Sequence, residues 1–585
     1  VLFIVLPLIP LLESKKEYAG AILAIIAGCI STILSIGGLI EVINGEPYEI
    51  KITWIAYKDI ELNFGIYADK LAMFMAFIVS FIGTLIMIYS LEYMSHDKEK
   101  SPLAWPRYFF EIAMFVAFML MLVLSYSLLQ LLIAWEGVGL CSYLLIGYWW
   151  WKPDAAKAAK KAFITTRLGD IGLYAAVIYA FLKAHTLDIP TLNHMAETGA
   201  ISGTALAIIA LCAFWAAIGK SAQIPLFTWL PWAMEGPTTV SALIHAATMV
   251  KAGVYLVARI YPVYVHSSEI FGIHPLTIVA YVGGITAAFA GLLAVINNDI
   301  KGVLAYSTIS HLGLLMLALG VHAYTGALLH LLNHAFFKAE LFLVSGCVLH
   351  AVHDIRDLHK LGGLREKMKT TWILALLGSC AISGLPPYVV GGFWSKEEVL
   401  LGVNATGDPI LLVLGIIAAV TGALYIFRWF FLIFSREPRS EEASHAHEMP
   451  LVMTVPVAIL AFGSILWGIP IPIEGEIVPI GLLFVEKIVG VEHGATVHAV
   501  ASEEFGVISR ELLAGLTVGI GLFGAFFMYY VYHLGKVDFS KYPVLTRIQG
   551  WFQQGTFIDK AYDCLLYTSD AADDGESVDL GGRRI

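Results

Sequence analysis

The sequence predicts an all-α polytopic membrane protein with about 15 transmembrane helices. Hydrophobic residues make up 58% of the 585 positions and charged residues only 14%, whereas roughly 25% of residues are charged in water-soluble proteins. Apolar stretches of about 18 or more residues recur along the chain, each long enough to cross a hydrocarbon core of roughly 30 Å as a helix. The predicted spans begin near residues 1, 18, 68, 107, 127, 161, 204, 239, 275, 301, 324, 371, 409, 450 and 510.

The loops between these spans differ in charge. Loops after odd-numbered spans carry most of the basic residues, such as Lys152, Lys157, Arg365 and Lys367, whereas loops after even-numbered spans hold few. By the positive-inside rule the basic loops face the cytoplasm. We therefore expect a multi-pass protein of the cell (plasma) inner membrane whose N-terminus lies outside.

Four ionisable residues, Glu136, Lys220, Lys251 and Lys338, lie in the middle of long apolar runs. Each costs roughly 2.5 to 3.5 kcal/mol at a bilayer centre on insertion scales, so a chain that only had to fold would do better with leucine there. Ionisable residues inside a membrane therefore indicate function.

Prolines and glycines interrupt two spans, at 221–231 and 383–392, and each interruption has a lysine beside it, Lys220 and Lys396. Proline removes a backbone donor and clashes with the preceding turn. The opened backbone is tolerated only where it lines a hydrated or protein-buried cavity. Two broken segments about five spans apart predict an internal repeat with an ion pathway at the breaks. The alternative is a pair of ordinary proline kinks.

His330, His334 and Lys338 fall at i, i+4 and i+8, and so on one helix face. Such a row suits a proton wire, because histidine changes charge near neutral pH. Two histidines one turn apart also suit a metal site, although no HExxH carboxylate accompanies them and the adjacent cation disfavours a metal ion. Near the second break, Ser395 and Glu398 resemble a capping box, which would place Lys396 in the first turn of a helix at an interface.

Redox and nucleotide motifs are absent from the sequence. The six cysteines form no CxxC pair that could hold zinc or an iron–sulfur cluster. No GxGxxG or GxxxxGK[ST] motif is present either. We therefore expect no cofactor and no metal on this chain, and no nucleic-acid partner.

Long ordered motifs resemble the largest antiporter-like membrane subunit of respiratory complex I, called subunit L in bacteria and chain 5 in mitochondria, and its archaeal relatives. They lie at 135–150, 162–173, 219–259, 297–315, 334–343 and 555–563. The resemblance implies two inverted five-helix repeats, each a proton channel. It divides the chain into N-terminal helices (1–106), a first repeat (107–263), a second repeat (264–435) and C-terminal helices (436–563).

The resemblance also implies roles for particular residues. It pairs Glu136 with Lys220 in the first channel, places His245 in the following span, groups Lys338 with His330 and His334, puts Lys396 at the exit, and makes Arg167 and Asp170 an ion pair beside the first channel. Desolvation favours a neutral lysine and a nearby carboxylate favours a charged one, so moving the carboxylate's charge would load or unload the lysine proton. The alternative is a static buried salt bridge.

The function implied is proton translocation by a subunit of an NADH (or other reduced donor):quinone oxidoreductase, with no redox site on this chain. Its expected partners are the antiporter-like and quinone-module membrane subunits of complex I, the lipid bilayer and protons. NADH, a reduced deazaflavin and ferredoxin remain alternatives as electron donor, because the donor would be oxidised on other chains. Two other functions stay open: the large subunit of a multisubunit Na⁺/H⁺ antiporter, and a membrane scaffold without transport.

The sequence departs from the family pattern in two regions. Lys251, Glu340 and His311 stand where complex I relatives often have neutral residues or glutamine, and Lys251 favours the antiporter alternative. A charge pair between Lys251 and Glu340 is one interpretation. The segment 564–585 resembles translated sequencing adapter and stands where the family's lateral helix is expected, so we exclude it from the fold.

Overall fold

Helices make up most of the described chain in the computed structural model, which describes residues 1–13, 18–57, 60–95, 104–473, 476–490 and 507–536. The predicted tail at 564–585 and the motif at 555–563 lie outside these residues. The N-terminal part contains α1 (Leu2–Val5), α2 (Leu8–Glu13), α3 (Ala19–Asn44), β1 (Tyr48–Tyr57), β2 (Ile60–Ala68), α4 (Lys70–Tyr93) and α5 (Ala104–Val123).

The helices that follow carry the predicted site residues. They are α6 (Leu128–Ile146), α7 (Pro153–Ala184), α8 (Ile189–Glu197), α9 (Gly203–Lys220), α10 (Trp229–Trp232), α11 (Thr238–Ala246), α12 (Met249–Arg259), α13 (Tyr261–Val265), α14 (Pro275–Ile296), α15 (Ile300–Gly320), α16 (Tyr324–Ala351), α17 (Lys369–Ser383), α18 (Gly391–Ala405) and α19 (Pro409–Phe434). The C-terminal part contains α20 (Glu441–His445), α21 (Leu451–Leu466), β3 (Pro470–Ile473), β4 (Glu476–Pro479), α22 (Ile480–Val489) and α23 (Arg510–Met528).

Eleven helices in the described part of the chain are long and apolar enough to cross a membrane. The chain is therefore a polytopic helical membrane protein, as predicted. The other four predicted spans coincide with the short helices α1 and α2, with α7, with the broken pair α17 and α18, and with α21. By length and composition these four do not qualify as single continuous spans, because they are short, interrupted or rich in charge.

Two antiparallel β-hairpins depart from the all-α prediction. Strand β1 pairs with β2 from Tyr48 opposite Ala68 to Ala56 opposite Glu61, and β3 pairs with β4. In β1, apolar residues such as Ile50 and Ile52 alternate with polar neighbours, which is the two-residue period of a strand. Apolar runs of helix length do not show this period, and these strands were therefore not predicted.

Both predicted helix breaks are confirmed. Helix α9 ends at Lys220 and the next helix begins at Trp229, while α17 ends at Ser383 and α18 begins at Gly391. The structure adds a third break, between α11 and α12, where the Thr248 hydroxyl donates to the Leu243 carbonyl at 2.8 Å.

Helices α11, α12, α15 and α16 form the centre of the bundle and are almost entirely buried. Helix α16 packs against α11, α15, α17, α18 and α21, so it contacts the helices on both sides of the second break. This position makes α16 the scaffold of the site described next.

Candidate functional site

Lys220 is the last residue of α9 and is fully buried. The break after it is fixed by side chains: the Trp229 indole donates to the Gly219 carbonyl at 3.0 Å, and the Ser221 hydroxyl donates to the Val250 carbonyl at 2.8 Å. A helix C-terminus carries partial negative charge, which favours a cation there. The helix therefore ends at Lys220, whose side chain lies in the protein interior.

Two ion pairs join α6, α7 and α9. Lys220 Nζ lies 3.5 Å from Asp170 Oδ2, and the Arg167 guanidinium donates to the Glu136 carboxylate. The Trp135 indole also donates to Asp170 Oδ1, at 2.6 Å. The Lys220 pair is buried, whereas the side chains of Glu136 and Arg167 are 21% and 38% exposed.

This arrangement corrects two expected pairings. Glu136 pairs with Arg167 instead of Lys220, and Asp170 pairs with Lys220 instead of Arg167. The reason is the contact between α7 and α9, which brings Lys220 beside Asp170. Lys220 Nζ also lies against Gly139, one turn beyond Glu136 on α6. Water-bridged coupling of Glu136 to Lys220 stays a prediction.

A glycine pair makes the close contact of α7 with α9. A Cβ added at Gly169 would lie 2.8 Å from the Cα of Gly219, closer than any ordinary carbon contact. Only residues without a side chain allow this approach. The Lys220 and Asp170 pair therefore depends on two glycines that carry no charge themselves.

His245 lies at the end of α11, directly before the third break. Its ring is fully buried and packs on Phe342 of α16, with the ring centroids 4.6 Å apart. Neither ring nitrogen has a hydrogen-bond partner among the described residues. A polar ring in this state costs free energy, so His245 does not stabilise the fold through hydrogen bonds.

His330, His334 and Lys338 share one face of α16, as predicted, but each finds its partner on another helix. His330 Nδ1 lies 3.0 Å from the Ser395 hydroxyl, and His334 Nδ1 lies 2.7 Å from Lys251 Nζ. Lys338 donates to the Ser307 hydroxyl. All three side chains are fully buried.

Lys396 is buried in α18, at 4% exposure, and donates to the Ile382 carbonyl across the second break. The predicted capping box is wrong, because α18 begins at Gly391, four residues before Ser395. A small cavity lined by His330 and Lys396 has room for about one water molecule.

His311, Lys251 and Glu340, the three residues that depart from the family pattern, are all buried. His311 Nδ1 lies 2.9 Å from His330 Nε2. The suggested pair of Lys251 with Glu340 is wrong: Lys251 contacts His334, and Glu340 accepts from the Ser464 hydroxyl at 2.9 Å. The two side chains meet partners on different helices, so neither compensates the other.

Two further residues of the site, Ser307 on α15 and Tyr425 on α19, are not predicted from the sequence. Tyr425 Oη lies 3.1 Å from His311 Nε2. Isolated hydroxyls in apolar helices gave no pattern that could mark them. No cluster of three or more potential metal ligands occurs in the described ranges.

Two family models match this sequence. One, described as NADH:quinone oxidoreductase/Mrp antiporter, TM, matches residues 125–422, and the other, described as NADH-Ubiquinone oxidoreductase (complex I), chain 5 N-terminus, matches residues 54–109. The first covers half of the chain. The chain belongs to the NADH:quinone oxidoreductase/Mrp antiporter family.

Individual relatives agree with the family. The F(420)H(2) dehydrogenase subunit L of Methanosarcina mazei is 39% identical over 585 aligned residues, covering 92% of this chain and 84% of that protein. The NADH-quinone oxidoreductase subunit L of Rickettsia bellii is 42% identical over 439 residues, covering 73% and 66%. The predicted family resemblance is thereby confirmed.

A solved structure of the Mrp complex from Dietzia sp. has the same fold, with a TM-score of 0.74 at 24% identity. The match covers 98% of this chain and 62% of that one, so this chain spans less than two thirds of its length. At this identity the likeness concerns the fold alone.

The family match establishes the class of function. The chain is an antiporter-like membrane subunit of the subunit L or chain 5 type, a proton-translocating subunit of complex I-type quinone oxidoreductases. Subunits of this family typically have no cofactor of their own and are parts of multisubunit complexes, of complex I type or Mrp type.

Proposed function

We propose that this subunit carries protons through titratable stations at Glu136, Lys220, His245, His330, His334, Lys338 and Lys396, with Arg167 and Asp170 as the switchable counter-charges of the first half. Quinone reduction elsewhere in the complex would drive the transfer. The two broken regions would then belong to the two inverted five-helix repeats expected at 107–263 and 264–435.

One observation carries this proposal: four lysines, Lys220, Lys251, Lys338 and Lys396, lie in the interior at no more than 4% exposure. Among these four lysines, only Lys220 has a carboxylate within ion-pair distance in the described part of the chain. Uncompensated buried charge is expensive. Lysines kept at such a cost suit groups that must lose and regain a proton.

The ion pairs of the first half suit a gate. Arg167 contacts Glu136 and lies on α7 one helical turn before Asp170. If Arg167 moves from Glu136 toward Asp170, it competes with Lys220 for that carboxylate and favours loss of the lysine proton. Glu136 and Arg167 are partly exposed on this chain, which suits contact with a neighbouring membrane subunit.

The membrane arrangement completes the proposal. We infer 15 crossings, made of the eleven long apolar helices and the four interrupted, short or charged segments, with the N-terminus outside a plasma (inner) membrane. The partners would be the antiporter-like and quinone-module membrane subunits of the complex. The electron donor would react on another chain, whether NADH, a reduced deazaflavin or ferredoxin.

The test is Lys338→Met in the whole complex, reconstituted in proteoliposomes with a quinone and the native donor. We expect proton pumping to be lost while the complex assembles, because methionine fills nearly the same space without a titratable group. The matched control is Lys183→Met, at the exposed end of α7. Wild-type proton-to-electron stoichiometry and rate in Lys338→Met would refute the proposed route.

A second candidate function is that of the large subunit of a multisubunit Na⁺/H⁺ antiporter. Lys251, buried beside His334, favours it. Pumping by the same proteoliposomes in sodium-free buffer separates the two: proton transport that needs quinone reduction and no Na⁺ supports the oxidoreductase, and proton transport that needs a Na⁺ gradient supports the antiporter.

A further inference from the structure

Lys338 and His330 share a face of α16 but lie two helical turns apart, at roughly 12 Å along the axis. The histidine between them, His334, does not bridge the gap. Its Nδ1 accepts from Lys251, and its Nε2 has no hydrogen-bond partner among the described residues. The direct route along the helix face is therefore interrupted.

A different set of side chains does connect the two residues, through α15 and α19. Lys338 donates to the Ser307 hydroxyl, and the Ser307 side chain lies next to the Tyr425 hydroxyl where α15 packs against α19. Tyr425 Oη lies 3.1 Å from His311 Nε2, and His311 Nδ1 lies 2.9 Å from His330 Nε2. The His311 and His330 rings also stack, with centroids 5.1 Å apart.

The far end of this chain of hydrogen bonds reaches the second break. His330 Nδ1 lies 3.0 Å from the hydroxyl of Ser395, whose neighbour in sequence is Lys396. The cavity lined by His330 and Lys396 has room for about one water molecule. Each group from Ser307 to Ser395 is buried at 2% exposure or less, so bulk water does not compete with these hydrogen bonds.

The Ser307 hydroxyl donates to the Leu304 carbonyl at 2.8 Å in the structure, and one set of hydrogen positions satisfies every link once that hydroxyl rotates toward Tyr425. The lysine ammonium donates to Ser307, the serine hydroxyl to Tyr425, the tyrosine hydroxyl to Nε2 of His311, Nδ1–H of His311 to Nε2 of His330, and Nδ1–H of His330 to Ser395. Each intermediate group thus accepts one hydrogen bond and donates one. Both histidines take the same neutral tautomer, protonated at Nδ1.

We propose that Ser307, Tyr425 and His311 form the proton conductor between Lys338 and the Ser395–Lys396 end of the second half. The inference rests on the proposed proton route and replaces its step along α16 with a path through two neighbouring helices. His334 contacts Lys251 and lies beside this path.

The transfer conserves protons and leaves no group between the two lysines charged. One proton leaves Lys338 Nζ for Ser307, each group passes its own proton onward as it accepts the next, and one proton reaches neutral Lys396 through Ser395 and a water in the cavity. The net change is a neutral Lys338 and a protonated Lys396. Ser307 Oγ also lies 2.8 Å from the Leu304 carbonyl, which can hold the hydroxyl proton while the hydrogen bonds reset.

The test removes single hydroxyl groups in the assembled complex. Tyr425→Phe deletes the link to His311 and keeps the ring, and we expect proton pumping in proteoliposomes to fall by roughly a hundredfold or more, the size of one lost proton-transfer partner. Ser307→Ala should do the same, and Ser307→Thr, which keeps the hydroxyl, should restore pumping. The control is Tyr89→Phe, another buried tyrosine, whose hydroxyl donates to the Leu343 carbonyl and contacts Cys347.

A solvent isotope effect separates conduction from structure. When a link is missing, proton transfer limits turnover, so the slowing of pumping in D₂O should grow in Tyr425→Phe and stay at the wild-type value in Tyr89→Phe. Wild-type pumping in both Tyr425→Phe and Ser307→Ala, with Lys338→Met inactive, would overturn this inference alone. Normal pumping in Lys338→Met would instead overturn the proposed function on which it rests.

Discussion

Gly169→Ala tests whether the Lys220 and Asp170 pair is set by helix contact. The added Cβ would lie 2.8 Å from the Gly219 Cα and 3.2 Å from its nitrogen, both of them backbone atoms that cannot rotate away. Carbon atoms in contact lie about 3.5 to 4.0 Å apart. Helices α7 and α9 must therefore separate by about 1 Å, which also costs about 1 to 3 kcal/mol of packing.

The separation weakens the ion pair by a calculable amount. Lys220 Nζ and Asp170 Oδ2 lie 3.5 Å apart, which at an effective dielectric constant of about 20 gives an attraction of roughly 4.7 kcal/mol. At about 4.5 Å the same expression gives roughly 3.7 kcal/mol. The loss of about 1 kcal/mol corresponds to about a fivefold shift in the equilibrium that makes and breaks the pair.

The assay is proton pumping by the reconstituted complex, with assembly checked by the amount of this chain in the purified complex. We expect pumping to fall about fivefold in Gly169→Ala, in proportion to that equilibrium. Gly37→Ala is the control, because a Cβ at Gly37 meets no atom within 4 Å. Unchanged pumping in an assembled Gly169→Ala complex would refute the argument that this contact sets the charge pair.

Two further predictions concern neighbouring polar contacts. Trp135→Phe removes the 2.6 Å indole hydrogen bond to Asp170, which is worth about 1.5 to 3 kcal/mol with a charged acceptor, so proton pumping should fall. The control Trp215→Phe, which removes an exposed indole hydrogen bond to the Leu168 carbonyl, should pump normally. Equal effects of the two substitutions would contradict a role of Trp135 in holding Asp170. Arg259→Met should cost about 3 kcal/mol of stability, because it leaves the Asp69 carboxylate without its buried partner at 2.6 Å. Arg356→Met should cost only about 1 kcal/mol, because the ion pairs of Arg356 with Glu235 and Asp299 are about one-third exposed. The temperature at which half of each complex is lost measures both, and the opposite ranking would show that exposure does not decide the strength of these pairs.

The sequence by itself determined the class of protein and the places where its helices break. Apolar runs of a fixed minimum length follow from the thickness of a bilayer, and proline excludes a continuous helix for local steric reasons. Both signals are contained within a single segment, and for that reason the local sequence suffices to place Lys220 and Lys396 beside the breaks. The row of His330, His334 and Lys338 followed from the helix period alone.

Only the tertiary structure decided which of these groups meet. Whether Asp170 pairs with Arg167 or with Lys220 depends on how closely α7 approaches α9, which Gly169 and Gly219 set from positions far apart in the sequence. The links of Lys338 to Ser307 and of His311 to Tyr425 and His330 join three helices, and a lone serine or tyrosine in an apolar run has no local pattern that marks it. Periodicity states which side chains share a face of one helix, whereas the hydrogen bonds of a buried polar group are decided by the helix that packs against that face.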